Sequence, residues 1–442
     1  MKAMVTSMMV AGFLMLPQVA VAQEARPISL DEAVRLARQN APASVQATNA
    51  VRVAAGTVRQ RYASFLPNIS FGSGASSAEG FSLAQVPDTI NGGFRSEPRR
   101  FDQPWNGSHN FNANLQLFAG GNRIFQLQQA RAQLDAAEAA DVAQDFTIAL
   151  QVKQQYYAVL AARETRLAAE RQLESAEQQL RASTARVQAG AATRSDSLRT
   201  SIQVGNARLA ILNAENALAN ANAALSRLIG SENIVTAEDA AQVEETVPVS
   251  DADLLAMAER SPAVIQAQAN FVAAKQGNRS TLSQYLPTFS MSMGRSYSGR
   301  PDQFQIWGDQ DLNRSSISYS VSWQLFNGLN REQQNLSARV GVENAEAQLR
   351  DARLNARQQL IQQVGAFRTA EVRVQIQLAS VAAGEEDLRV QQERYALGAS
   401  TLLDVLNSQT TLDQARRDLI QARLDARTAK AQIEALIGRD LQ

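Results

Sequence analysis

Two patterns of apolar and polar positions alternate along the chain, and each appears twice. Residues 122 to 189 contain neither proline nor glycine and carry Leu127, Ala130, Leu134 and Ala137 at helical spacing. A helix over all 68 of these residues would be about 102 Å long at 1.5 Å per residue. Small residues on several of its faces suit neighbours on both sides better than a two-stranded coiled coil. Residues 330 to 397 repeat the pattern, interrupted by glycines that include Gly341 and Gly384. Shorter helices are predicted over 41 to 64, 194 to 229, 262 to 284 and 402 to 437. Adding 24 and 36 residues gives about 90 Å at the same rise, so two short helices stacked end to end would match one long helix.

Period-two patterns occupy 69 to 75 and 111 to 118, and again 288 to 294 and 316 to 326. In the last of these Ile317, Tyr319, Val321, Trp323 and Leu325 alternate with Ser318, Ser320, Ser322 and Gln324. One face requires lipid or core and the other water. Residues 77 to 108 and 295 to 311 are rich in turn formers and are predicted as loops.

The two halves correspond residue by residue. Residues 41 to 67 match 261 to 287 at an offset of 220, and 117 to 123 (LFAGGNR) match 325 to 331 (LFNGLNR) at an offset of 208, which also relates Gly190 to Gly398 and Asp196 to Asp404. The expected organisation is a first structural repeat over 23 to 230, a linker over 231 to 250 and a second repeat over 251 to 442. Ahead of them Lys2, an apolar run and Ala20-Val21-Ala22 form a secretory signal peptide, 1 to 22.

Composition removes most other functions. The chain has no cysteine, one histidine, and 43 basic against 43 acidic residues, which leaves no thiolate metal site, no histidine cluster and no electrostatic case for a nucleic-acid partner. No phosphate-cradling nucleotide motif is present, no cofactor is expected and the protein is not expected to be an enzyme. After the leader no run of about 20 apolar residues could span a bilayer as a helix, so any crossing must be a closed β-barrel. Four strands cannot close one, and several chains would have to contribute. The plain alternative is a soluble antiparallel sheet.

The duplicated strand-and-helix units, the LFxG turn before each long helix, and the segment from Tyr395 to Gly438 resemble the TolC family of outer-membrane efflux proteins. The resemblance implies a homotrimer, with four strands per protomer in a 12-stranded transmembrane barrel continuous with a periplasmic α-helical barrel. It also implies a passive duct in the outer membrane, contacting its lipid. A periplasmic adaptor would join it to an inner-membrane transporter of the RND, MFS or ABC kind. Type I protein secretion is the alternative within that architecture, and a non-conducting periplasm-spanning structural protein the alternative outside it.

The same resemblance places a gate where the long helices turn. Tyr395 and Asp196 correspond to a tyrosine and an aspartate that link the closed tip. The linking arginine falls on Ser400, and the second acid of a constriction falls on Asn407, beside Asp404. The charged link is therefore lost, or rebuilt from a residue such as Arg194. Thr193-x-x-Asp196 and Thr401-x-x-Asp404 also read as helix caps, and Tyr395 as a packing residue. The turns carrying Arg186, Gly190, Arg394 and Gly398 resemble adaptor-docking tips, although each glycine also suits a helix terminus. His109 is expected at the surface, and Trp105, Trp307 and Trp323 near a membrane interface.

Overall fold

A computed structural model describes residues 25–87, 92–238, 251–299 and 312–441. The leader and most of the linker lie outside the described residues, as does Trp307. In chain order the elements are β1 (Arg26–Ile28), α1 (Leu30–Asn40), α2 (Pro42–Ala63), β2 (Asn68–Pro87), β3 (Phe94–Ala119), α3 (Asn122–Gln188), α4 (Arg194–Ile229), β4 (Val235–Ala237), α5 (Asp251–Ala258), α6 (Pro262–Leu282), β5 (Thr288–Gly299), β6 (Leu312–Ser322), α7 (Asn330–Ala396) and α8 (Leu402–Ile437). A single 3-10 turn, Ser283–Tyr285, follows α6.

The long helices α3 and α7 have 67 residues each, about 100 Å at the helical rise. Towards one end α4 packs on α3, α3 on α8 and α8 on α7; towards the other, α2 packs on α3, α3 on α6 and α6 on α7. The result is a curved wall with α2 and α4 along one edge and α7 along the other. Alanines fill the seams, as Ala130, Ala136, Ala149, Ala169 and Ala176 do on α3, so the backbones approach closely. The larger apolar residues gather at mid-height. Tyr156, Val152 and Val159 of α3 pack there with α1, Leu225 and Ile229 of α4, and the parallel pair β1–β4. Leu360 and Phe367 of α7 pack with α5 and with Ile433 and Ile437 of α8. Sequence reading missed β1, β4 and α5, because three-residue strands and an eight-residue helix carry too little periodicity to register, and it also missed the 11-residue α1, whose N-cap Ser29 and buried Ala33 and Ala37 were an available signal. β4 falls inside the segment expected to be linker.

At one end of the wall lies a four-stranded antiparallel sheet in the order β2-β3-β5-β6. Strand boundaries differ from expectation in several places: β5 continues to Gly299, into the segment 295 to 311 expected as loop, and two further differences are larger. The ladder of β2 and β3 runs from Asn68↔Asn114 to Pro87↔Phe94, so the segment 77 to 108 is mostly strand rather than loop. The pairing of β3 with β5 ends at Gly107↔Gly299, so among the described residues the rest of this hairpin pairs only β2 with β3, a setting in which proline is tolerated where its nitrogen faces away from the partner strand. Conversely, β6 stops at Ser322, and Trp323 to Phe326 leave the sheet. The carbonyls of Gln324 and Leu325 accept from the Arg331 guanidinium at 2.8 and 2.9 Å, which replaces the ladder. Arg331 also lies over the Tyr285 ring, 4.8 Å from its centroid.

Candidate functional site

The sheet has two chemically opposite faces. Register places Ile69 beside Ala113, Ala113 beside Met293 and Met293 beside Ile317, with Leu115, Met291 and Tyr319, and then Phe289 and Val321, aligned on the same side. This side is apolar across all four strands and open, with Val321 71% exposed. The opposite side carries Asn68, Asn114, Ser292 and Ser318 in one row and Asn112, Gly294 and Ser316 in the next. Ser292 and Ser318 share a 2.6 Å hydrogen bond there. Among the described residues both outer strands, β2 and β6, have one unpaired edge, and such edges demand a partner. Among the described residues no helix is long and apolar enough to cross a membrane.

One detail of this end departs from expectation. His109 is 5% exposed, not a surface residue. It sits within β3, between Ser73 and Tyr297 in register, and its ring is stacked on Phe71 with centroids 6.3 Å apart. Trp323 donates from Nε1 to the Tyr285 carbonyl at 3.1 Å, just past the end of β6.

At the far end each long helix closes with the same turn. Gly190 and Gly398 adopt φ of 72° and 77°, the left-handed conformation for which glycine is suited. The Ala191 amide donates to the Arg186 carbonyl at 2.8 Å, and the Ala399 amide to the Arg394 carbonyl at 2.8 Å, the reach-back bond of a Schellman terminus. Helices α4 and α8 then begin with full capping boxes. The Asp196 carboxylate accepts from the Thr193 amide at 3.1 Å and its hydroxyl at 2.9 Å. Asp404 does the same with Thr401 at 2.9 and 2.7 Å. The Thr401 amide and hydroxyl, helped by Arg394, hold the Asp404 carboxyl below the usual aspartate range. Asp404 and Asn407 are both exposed, three residues apart on one side of α8.

The predicted site residues are thus gathered at one tip, but not all are joined. Asp196 spends its bonds on its own cap. Tyr395 meets Arg186 instead: Nη1 of Arg186 donates to the Tyr395 carbonyl at 2.6 Å, and the guanidinium carbon is 4.4 Å from the ring centroid. The Tyr395 hydroxyl is buried without a hydrogen-bond partner. Ser400 donates to the Gln391 carbonyl at 3.3 Å, within its own hairpin, and Arg194 is exposed at the start of α4. An open groove of about 570 Å³ lies above this contact, lined by Gln178, Gln179, Arg186, Gln392 and Tyr395 among others.

Sequence reasoning missed a polar belt behind the tip. Ser175 of α3 donates to Gln409 of α8 at 3.3 Å, and Gln409 donates to Asp413 at 3.0 Å. Asp413 is 9% exposed; burial raises its carboxyl above the usual range, against Gln409, Arg416, Arg417 and Gln172, which pull it down. The available signal was an acid one residue after Leu412, close to the inward stripe of α8. Among the described residues no cluster of histidine or carboxylate side chains could hold a metal.

Comparison with known proteins gives one consistent result. The family described as outer membrane efflux protein matches residues 33–231 and 255–439. The outer membrane protein VceC of Vibrio cholerae superposes with a TM-score of 0.74 at 20% identity, covering 93% of this chain and 97% of that one. A membrane protein from Pseudomonas aeruginosa gives a TM-score of 0.78 at 18% identity, over 94% of this chain and 91% of that one. The CmeC outer membrane channel of Campylobacter jejuni gives 0.77 at 16% identity, over 92% and 85%. At these identities the superpositions establish the fold. No curated protein matches the sequence.

Proposed function

The chain belongs to the outer membrane efflux protein family, a passive outer-membrane exit duct with a long periplasmic extension and not an enzyme, and from that premise we propose how it assembles and gates. The duct is a homotrimer in which three four-stranded sheets close a 12-stranded barrel. The observation that carries this is the two-faced sheet: a continuous Ser/Asn face, an exposed apolar face, and an unpaired edge on each side. Joining β6 of one copy to β2 of the next satisfies both edges and turns the apolar faces to lipid and the polar faces to a wet lumen.

The helical wall supports the same closure. Along one edge α4 exposes Leu198, Ile202, Leu209 and Leu212; along the other α7 exposes Leu354, Ile361, Val372 and Ile376. Two different edges that bury each other make a heterologous contact, which closes into a ring when the rotation permits. The repeat organisation predicted from sequence is part of this proposal. Its support is that positions offset by 208, such as Val152 and Leu360, Val159 and Phe367, or Leu225 and Ile433, are buried in both halves.

Substrate leaves through the helical barrel and then the wet β-barrel, driven by an inner-membrane RND, MFS or ABC transporter. A periplasmic adaptor docks at the turns around Arg186–Gly190 and Arg394–Gly398. Asp404 and Asn407, exposed together at the start of α8, form the narrow ring at the tip, where three carboxylates would favour cations. Small-molecule efflux is the reading we favour over protein secretion, in keeping with the family. Single-channel recording of the purified protein in planar bilayers tests it. Long-lived trimer-sized pores, with divalent-cation block that weakens in Asp404→Ala, are expected. Folded, inserted trimers that never conduct in either form would overturn it.

A further inference from the structure

We propose that the outer rim of the sheet's apolar face binds an acylated, phosphorylated glycolipid of the outer leaflet, with Arg295 holding its phosphate. The paired segments 68–75, 107–119, 288–299 and 312–322 contain two arginines and no aspartate or glutamate. Register puts those arginines on opposite faces. Arg295 follows Met293 on the apolar side, in one row with Phe71, Phe111 and Ser315, and the next row outward holds Tyr297 and Asn313. Arg314 stands beside Ser296 on the Ser/Asn side. A cation at the margin of a lipid-facing surface, with no acid on its own sheet, is matched by an anion carried on the lipid.

The Arg295 side chain is already held for this task. Its Nε donates to Asn313 Oδ1 at 3.4 Å, and the guanidinium carbon lies 4.9 Å from the centroid of the Tyr297 ring. Both partners belong to the row beyond, so the group reaches outward, away from the helices. The ring contact and the Nε bond set its plane. Among the described residues neither Nη1 nor Nη2 meets a carboxylate, and this planar fork is what phosphate oxygens accept from. Beside and below it, exposed Phe71, Met293 and Ile317 offer a surface for acyl chains, which a free phosphate would leave unused. From Phe289 to Tyr297 the strand rises about 26 Å at about 3.3 Å per residue. At a tilt of about 40° that is about 20 Å along the membrane normal, which puts Arg295 near the outer end of an apolar band about 25 Å tall. This inference rests on the barrel reading, because only a lipid-facing sheet meets such a ligand.

The test uses the full-length trimer purified in mild detergent and titrated with bisphosphorylated lipid A, its dephosphorylated form and phosphatidylglycerol. Native mass spectrometry counts bound lipid, and conductance in planar bilayers is recorded in parallel. Bisphosphorylated lipid A should bind about tenfold more tightly than either of the others, and Arg295→Gln should remove that advantage, the loss expected for hydrogen bonds to a charged group. Arg295→Lys, which keeps the charge without the fork, should fall between the two and serves where glutamine yields no trimer. Arg314→Gln should bind as wild type. Unchanged lipid A binding in the Arg295 variants, in trimers that conduct, overturns the site and keeps the duct. Equally tight phosphatidylglycerol overturns the choice of a glycolipid. Loss in Arg314→Gln alone would reverse the two faces and reject the barrel reading together with the site, whereas the expected binding pattern in trimers that never conduct keeps the site and rejects the duct.

Discussion

Removing Lys153 should release the C-terminal segment without melting the wall. Lys153 reaches across from α3 to Glu434 of α8 at 2.6 Å and to Asp440 at 2.9 Å. Its side chain is 15% exposed and that of Glu434 9%, whereas Asp440 lies largely in water and adds little. The other Glu434 oxygen accepts from the Leu441 amide at 3.0 Å. Lys153→Ala would leave a buried carboxylate with one neutral donor. Losing one partner of a buried pair costs about 3–5 kcal/mol, and partial water access argues for about 3. That is roughly a hundredfold in the equilibrium for local opening. Hydrogen exchange at Gly438, Arg439 and Leu441, whose amides all bond to Glu434, reads this directly. Lys153→Met with Glu434→Leu removes both charges and should recover most of the protection. Although burial alone would lower the Lys153 pKa, the hydrogen bonds to Glu434 and Asp440 outweigh it and raise it. The stabilisation is therefore complete below the ordinary lysine pKa and lost as pH rises through the raised one. Unchanged exchange in Lys153→Ala, or a double variant no better protected than the single, would refute the reasoning.

Other outcomes follow from separate sites. Asp413 binds its proton more readily folded than unfolded, so stability should fall as pH rises from the ordinary aspartate range through the raised value. Asp413→Asn should consequently raise the unfolding temperature at neutral pH and leave it unchanged in acid; equal gains at both pH values would sink this. Leu329 takes φ of 65° at the helix start where Gly121 stands in the first half, so Leu329→Gly should stabilise by about 1 kcal/mol in denaturant titration. Tyr319→Arg places a charge on the apolar sheet face, with an expected cost of about 2–4 kcal/mol for a mid-membrane charge. It should reduce membrane-inserted trimer on native gels, and full insertion would argue against a lipid-facing side. Thr401→Ala removes an N-cap and should destabilise the tip by about 1 kcal/mol, measured as faster proteolysis near residue 400.

The six longer helices were legible to within one or two residues, the plainest being 67-residue stretches free of proline and ending in left-handed glycines, whereas α1 and α5 were missed. The strands were less so. The Gly, Ser and Pro residues of 77 to 108 have weak strand propensity, and pairing across a long hairpin overrides it. The end of β6 failed in the opposite direction: alternation continues through Trp323 and Leu325, but Arg331, six and seven residues downstream of the carbonyls it binds, captures Leu325 and Gln324. At the tip, sequence correctly identified the turns and caps yet could not assign partners. Arg186 and Tyr395 are 209 residues apart, and nothing local records that the guanidinium of one meets the carbonyl of the other.

The distribution of buried side chains gives the wall a firm middle and a loose end. Tyr156, Val152, Leu225 and Ile229 on one side, and Leu360, Phe367, Ile433 and Ile437 on the other, concentrate large apolar burial at mid-height. There the small strands and helices wrap the bundle, and the ion pair of Lys153 and Glu434 ties α3 to α8. Towards the turns the apolar clusters are smaller, such as Ala176 with Val204 and Ala207, although Leu402, Val405 and Leu412 of α8 are also buried, and polar side chains join the hairpins through Ser175, Gln409 and Arg186. Hydrogen bonds between side chains can be exchanged for water at about 1 kcal/mol each, whereas opening an apolar core costs several per residue. Under the proposed duct reading, opening should therefore be least costly at the turn end. A duct that must stay sealed along its length yet open at its entrance requires that division, and here it is set by which faces of α3 and α8 carry glutamine and serine and which carry alanine and leucine.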